Sequence, residues 1–214
     1  INACRILLAG TFIFSGFVKA NDPLGTVYKF EDYLSAMAWF TLPQTFLLAC
    51  AVILAFVEFT IGTHLLFGIN RRGTARVATV FMAAMTILTT YIAIANPVSD
   101  CGCFGDVIIL SNEETLAKNI ILLAASIFIC RFYRLQKDFL TAGAKWFIVL
   151  ISFCFIIGYA IYCVVFLPCI DFRPYKIGTN LRTGEKAADR GASSGGRLLR
   201  RLLFLFRMGD ASLA

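Results

Sequence analysis

Five nearly unbroken apolar stretches dominate this chain, and stretches of that kind leave a polypeptide very few places to go. They run from about Ala3 to Ala20, Pro43 to Ile69, Ala75 to Ile94, Lys118 to Phe132 and Ala144 to Leu167. A helix needs about 20 mostly apolar residues to cross the hydrocarbon core of a bilayer. Lipid cannot satisfy free backbone groups, so a spanning segment is either helical or part of a closed barrel. Period-2 alternation is absent, which leaves helices. Composition agrees: 59% of residues are hydrophobic and 15% charged, against roughly 25% charged in a soluble domain. The expected fold class is all-α, a polytopic membrane helical bundle. The net charge of +7 raises the question of nucleic acid. The cations, however, sit in short connections between apolar runs and in the tail, which is the pattern of topology signals, so nucleic-acid binding is set aside.

Domain organisation follows from the same pattern. Residues 1–168 form the bundle, with spans at about 3–20, 43–69, 75–95, 116–134 and 144–167, and residues 169–214 form a tail. Arg5 precedes the first span, Arg71, Arg72 and Arg76 join the second to the third, and Arg131, Arg134, Lys137 and Lys145 join the fourth to the fifth. The alternate connections are acidic, with Asp22, Glu31 and Asp32 in one and Asp100, Asp106, Glu113 and Glu114 in the other. The positive-inside rule then predicts a cytoplasmic N-terminus in an inner (cytoplasmic) membrane, with the acidic connections and the C-terminal tail outside. The chain opens at Ile1, so a fragment or processed chain is expected, and Ala3 to Val18 reads as a first span rather than a cleavable signal. Asp171 to Gly178 reads as an ordered exit from the last helix. From about Arg182 the tail turns to Arg, Gly, Ser and Ala, a composition compatible with disorder, a surface-lying amphipathic segment or an out-of-frame end.

Of eight cysteines, Cys4, Cys50, Cys130, Cys154 and Cys163 lie in or beside apolar runs, where cysteine behaves as a small hydrophobe. Cys101 and Cys103 differ. They stand in Asp100-Cys101-Gly102-Cys103-Phe104-Gly105-Asp106, on a connection expected to face an oxidising compartment, where thiol pairs tend to close into disulfides. A ring with one intervening residue cannot easily reach the preferred disulfide geometry, and strain makes the bond easier to reduce. That chemistry suits exchange. Two other readings stay open: separate structural disulfides, or a metal site. Zinc wants about four ligands, and the single histidine, His64, lies toward the opposite end of its span. Cys169 is a candidate resolving partner.

Glu58 falls near the middle of the second stretch, where an ionised carboxylate is costly. It is expected to face the bundle interior, protonated or paired, as a candidate cofactor-binding group or as a neutral residue cementing helix packing. It reads as the only deep intramembrane charge, while Arg5 and Lys19 read as ends of the first span. Gly10, Gly16, Gly62 and Gly68 are expected to permit close helix approach.

Taken in order, these motifs resemble a known family. Phe14-Ser15-Gly16-Phe17-Val18-Lys19-Ala20, followed by Asp22-Pro23-Leu24-Gly25, resembles the first-span signature of DoxX-like membrane proteins. Glu58-Phe59-Thr60-Ile61-Gly62, with Leu65 to Gly68, resembles their second-span motif. Cys101-Gly102-Cys103-Phe104-Gly105 is similar to the loop of the MauE branch, the methylamine-utilisation proteins, in its Bacteroidetes-type form. The resemblance implies a four-helix DoxX-like core, similar in plan to vitamin K epoxide reductase and the quinone-linked disulfide oxidases, plus one additional span. It also implies disulfide formation or rearrangement in a periplasmic partner, with a quinone as candidate cofactor. The Cys-x-Cys spacing departs from the Cys-x-x-Cys of vitamin K epoxide reductase, so quinone reduction does not simply carry over.

The reading is therefore a membrane thiol–disulfide exchange protein. Cys101 and Cys103 would be its exchanging pair, Glu58 a core group near a quinone, and a thioredoxin-like or disulfide-bearing periplasmic protein its partner. The alternative is a non-catalytic membrane subunit or assembly factor of a redox complex, with the Cys-Gly-Cys segment as a docking turn. A small transporter or pore is the weaker third class, since no interrupted-helix pair is evident.

Overall fold

The computed structural model describes residues 1–36, 42–95, 111–135, 141–166 and 170. The chain divides into Ile1–Ile170 and Asp171–Ala214, and the second unit, with the tail readings made for it, lies outside the described residues. Among the described residues six α-helices follow one another: α1 (Asn2–Asn21), α2 (Pro23–Ala36), α3 (Gln44–Phe67), α4 (Arg71–Ala95), α5 (Asn112–Arg131) and α6 (Ala142–Phe166). A 3₁₀ turn, Tyr133–Leu135, follows α5. No strand occurs among the described residues. The fold is an all-α membrane helical bundle. Four of its helices, α1, α3, α4 and α6, are long and apolar enough to cross a membrane. The fourth apolar stretch corresponds to α5. It has 20 residues, about 30 Å at 1.5 Å per residue, but carries Glu113, Glu114, Lys118 and Arg131.

Two helix starts differ from the pattern of apolar stretches, and local chemistry accounts for both. The segment holding Asp22, Glu31 and Asp32 is helical rather than an open acidic connection. The Asp22 Oδ1 accepts from the Gly25 N–H at 2.9 Å, and Pro23, which has no N–H to satisfy, suits the first helical position. Val27 of α2 is buried against Leu47 and Ala51 of α3, while Glu31 and Asp32 stay exposed. Helix α5 starts well ahead of its apolar run because Ser111 and Glu114 form a capping box. The Ser111 Oγ accepts from the Glu114 N–H at 3.3 Å, and Glu114 Oε2 accepts from the Ser111 N–H at 3.0 Å. These bonds satisfy two of the helix's orphan donors. The Ser111 backbone bond, then its hydroxyl, holds the Glu114 carboxyl below its ordinary pKa.

Helices α1 and α3 cross antiparallel at glycines. A Cβ on Gly16 would stand 2.6 Å from the Phe59 backbone nitrogen, and one on Gly62 would stand 2.7 Å from that of Ile13. The other two glycines behave differently. Gly10 meets nothing within 4 Å, and Gly68 has φ 70° and terminates α3 in the left-handed conformation, the usual place of a C-terminal glycine. One core cluster joins α1, α3, α4 and α5 through Leu8, Phe12, Ile61, Met82, Leu122 and Ile129. A second packs Ala20, Ala55 and Phe59 against Ile156 and Ala160 of α6. The outer face of α6 exposes Trp146, Phe147, Leu150 and Ile151, an apolar surface suited to lipid.

Candidate functional site

Helix α1 brings Ser15 and Lys19 one turn apart onto the face that meets α3, and the close approach at Gly16 sets Glu58 opposite them. The Lys19 Nζ donates to Glu58 Oε2 at 2.7 Å and to the Ser15 Oγ at 2.7 Å. The two charged side chains are 7% and 5% exposed. A charge inside the hydrocarbon layer is expensive, and pairing removes the net charge while supplying charge-assisted hydrogen bonds. Glu58 thus faces the interior and is paired. Lys19, in the last turn of α1, is buried as the partner of Glu58, and Arg5 is also buried. Glu58 is therefore not the only buried charge.

A cavity of about 40 Å³ opens beside Glu58, lined among others by Thr11, Ser15, Met85, Lys118 and Asn119. Asn119 Nδ2 donates to the Thr89 Oγ1 at 3.2 Å across α5 and α4. The space suits about three water molecules, which need some 10–15 Å³ each by this measure. It does not fit a quinone ring, since even a benzene-sized guest occupies a cavity of roughly 150 Å³.

A second polar cluster closes the other side of α1. Asn21 is fully buried. The Tyr159 hydroxyl of α6 donates to its Oδ1 at 2.7 Å, and its Nδ2 donates to the Ile170 carbonyl at 2.7 Å. Tyr159 also stacks on Phe17 at 5.2 Å between centroids. Tyr159→Phe keeps the stack and removes one hydrogen bond, so it is expected to cost about 1 kcal/mol. Unfolding in detergent measures this, and an unchanged transition would show that the bond contributes nothing net.

Of the sequence's candidates, only Glu58 has a described position. Cys101, Cys103 and Cys169 lie outside the described residues. Cys4, Cys50 and Cys130 are half-buried and Cys154 is exposed, while Cys163 is buried on α6. The polar residues that join Glu58 in the structure are Thr11, Ser15, Lys19, Lys118 and Asn119. The signal for Lys19 was its spacing four residues after Ser15, within a motif that is otherwise apolar.

A bundle of lipid-length apolar helices with an ion pair buried in its apolar core, and a small cavity beside it, is a polytopic membrane protein. The family model described as methylamine utilisation protein MauE matches residues 1–132, and the chain belongs to that family. The match takes in α1 to α5 and ends before α6, so the resemblance seen in the sequence motifs holds at family level. Comparison with curated proteins and with solved structures gives no match.

Proposed function

We propose that this MauE family protein exchanges disulfides with a thiol partner on the extracytoplasmic side of the cytoplasmic membrane. Cys101 and Cys103 are the exchanging pair, and a thioredoxin-like or other disulfide-bearing periplasmic protein is the partner. The observation that carries this reading is the Cys101-Gly102-Cys103 spacing on the connection between α4 and α5. By the distribution of Lys and Arg, that connection leaves the acidic end of the bundle. In the exchange, a thiolate of one protein attacks a disulfide sulfur of the other. One S–S bond breaks as the mixed disulfide forms and a thiolate leaves. The remaining thiolate then resolves the mixed disulfide, so one protein ends as dithiol, the other as disulfide, and no outside oxidant is required. The paired core around Lys19 and Glu58 fixes α1 against α3 and holds the scaffold for this connection.

The two cysteines have unequal roles in such a cycle. Loss of the attacking one, by Cys101→Ser or Cys103→Ser, is expected to abolish the mixed disulfide, and loss of the resolving one to let it accumulate. Acid quenching of native membranes, alkylation with a mass tag and peptide mapping read both. Exchange that persists unchanged in both single variants overturns the proposal. That result favours the second reading, a non-catalytic subunit or assembly factor, which the closed and ion-paired core also suits.

A further inference from the structure

Basic side chains gather where α3 ends, α4 begins and α5 gives way to α6. Arg71, Arg72, Arg134 and Lys145, with Tyr133 and Asn70, line a pocket of about 410 Å³. No carboxylate lines it among the described residues. The Arg72 guanidinium lies 5.8 Å from the centroid of the Tyr133 ring, and Arg134 Nε donates to the Tyr133 hydroxyl at 3.2 Å. The Tyr133 hydroxyl is held below its ordinary pKa by that hydrogen bond first, and further by the charges of Arg134, Arg72 and Arg76. The pocket is therefore electropositive, and three elements build it.

Its place in the fold selects the ligand. The pocket sits at the ends of membrane-length helices, the depth at which Tyr and Trp anchor a protein to the headgroup layer. Trp146, next to Lys145, is 77% exposed, and Phe147, Leu150 and Ile151 continue the exposed apolar surface along α6. A ligand suited to both parts carries an anionic head and an apolar tail. We infer that this pocket binds the phosphate of an anionic phospholipid, with Arg72 and Arg134 on the phosphate oxygens and the acyl chains along the surface of α6. Arginine forks match phosphate geometry through paired N–H donors, and basic pockets between spanning helices are suited to lipid headgroups. A free anion satisfies the arginines equally well but makes no use of the apolar surface.

The test uses the full chain in mild detergent, with phosphatidylglycerol and phosphatidylcholine offered together and retained lipid read by native mass spectrometry. Wild type is expected to retain the anionic lipid preferentially, and R72Q/R134Q to lower that preference roughly 10-fold or more. Lys29→Gln, which removes a cation on α2, is expected to leave it unchanged. Should the double variant not fold, Arg134→Gln alone is read the same way, with a smaller drop. Preference kept in the arginine variants overturns the inference. So does complete displacement of phosphatidylglycerol by millimolar inorganic phosphate, which would assign the pocket to a soluble anion.

Discussion

Replacing Lys19 with methionine is expected to destabilise the bundle by about 3–5 kcal/mol, and adding Glu58→Met to the same chain is expected to restore most of that loss. The asymmetry comes from what each variant leaves behind. Lys19 Nζ and Glu58 Oε2 are 2.7 Å apart and both side chains are almost wholly buried, so either one alone is a buried charge whose counter-charge is gone. Removing both removes the desolvation cost together with the attraction, and two apolar side chains then fill a site already surrounded by apolar helices. Lost hydrogen bonding from Ser15 is a smaller matter, about 1 kcal/mol. A double-mutant cycle over K19M, E58M and K19M/E58M, read as unfolding in mixed micelles, gives the coupling directly. Single losses that simply add in the double variant would show that the pair is not the unit holding α1 to α3.

What the sequence made legible follows how local each determinant is. Long apolar runs declare membrane helices because lipid leaves the backbone no other solution, and a carboxylate at position 58 has to face inward because a charge facing lipid is costly. Its partner was harder to see. Lys19 ends an apolar run and reads as a flank, yet α1 continues to Asn21 and buries it; the pairing joins residues 39 apart in sequence. Helix α2 was hidden by its exposed Glu31 and Asp32, although Asp22-Pro23 is a helix start by composition. The early start of α5 was written in Ser111 and Glu114, a box spacing that an apolar-run search skips. The chemistry of Cys101 and Cys103 is legible as a spacing, but their geometry lies outside the described residues. The basic pocket was legible only as a topology signal, because its cations come from three separate segments that the fold alone brings together.

The glycines of α1 and α3 give the second large effect, with opposite signs at positions that look alike in sequence. A Cβ at Gly62 would meet the Ile13 nitrogen at 2.7 Å and the Ala9 carbonyl at 2.9 Å; one at Gly16 would meet the Phe59 nitrogen at 2.6 Å and the Ala55 carbonyl at 2.8 Å. Backbone atoms cannot step aside singly, so the helices have to separate. Gly62→Ala and Gly16→Ala are each expected to cost about 1–3 kcal/mol, even after the gain of roughly 0.5–1 kcal/mol that alanine brings to a helix interior. At Gly10, where nothing lies within 4 Å, the same substitution should leave only that gain and stabilise the protein slightly. Unfolding in mixed micelles ranks the three variants, and equal shifts at positions 10 and 62 would refute the close crossing. Position 16 carries a further consequence, since it lies one turn before Lys19 and packs on the residue after Glu58. Separation there stretches the ion pair itself. Part of the Gly16→Ala cost is therefore electrostatic and should shrink in the K19M/E58M background, whereas the Gly62→Ala cost, one turn further along α3, should be nearly the same in both backgrounds.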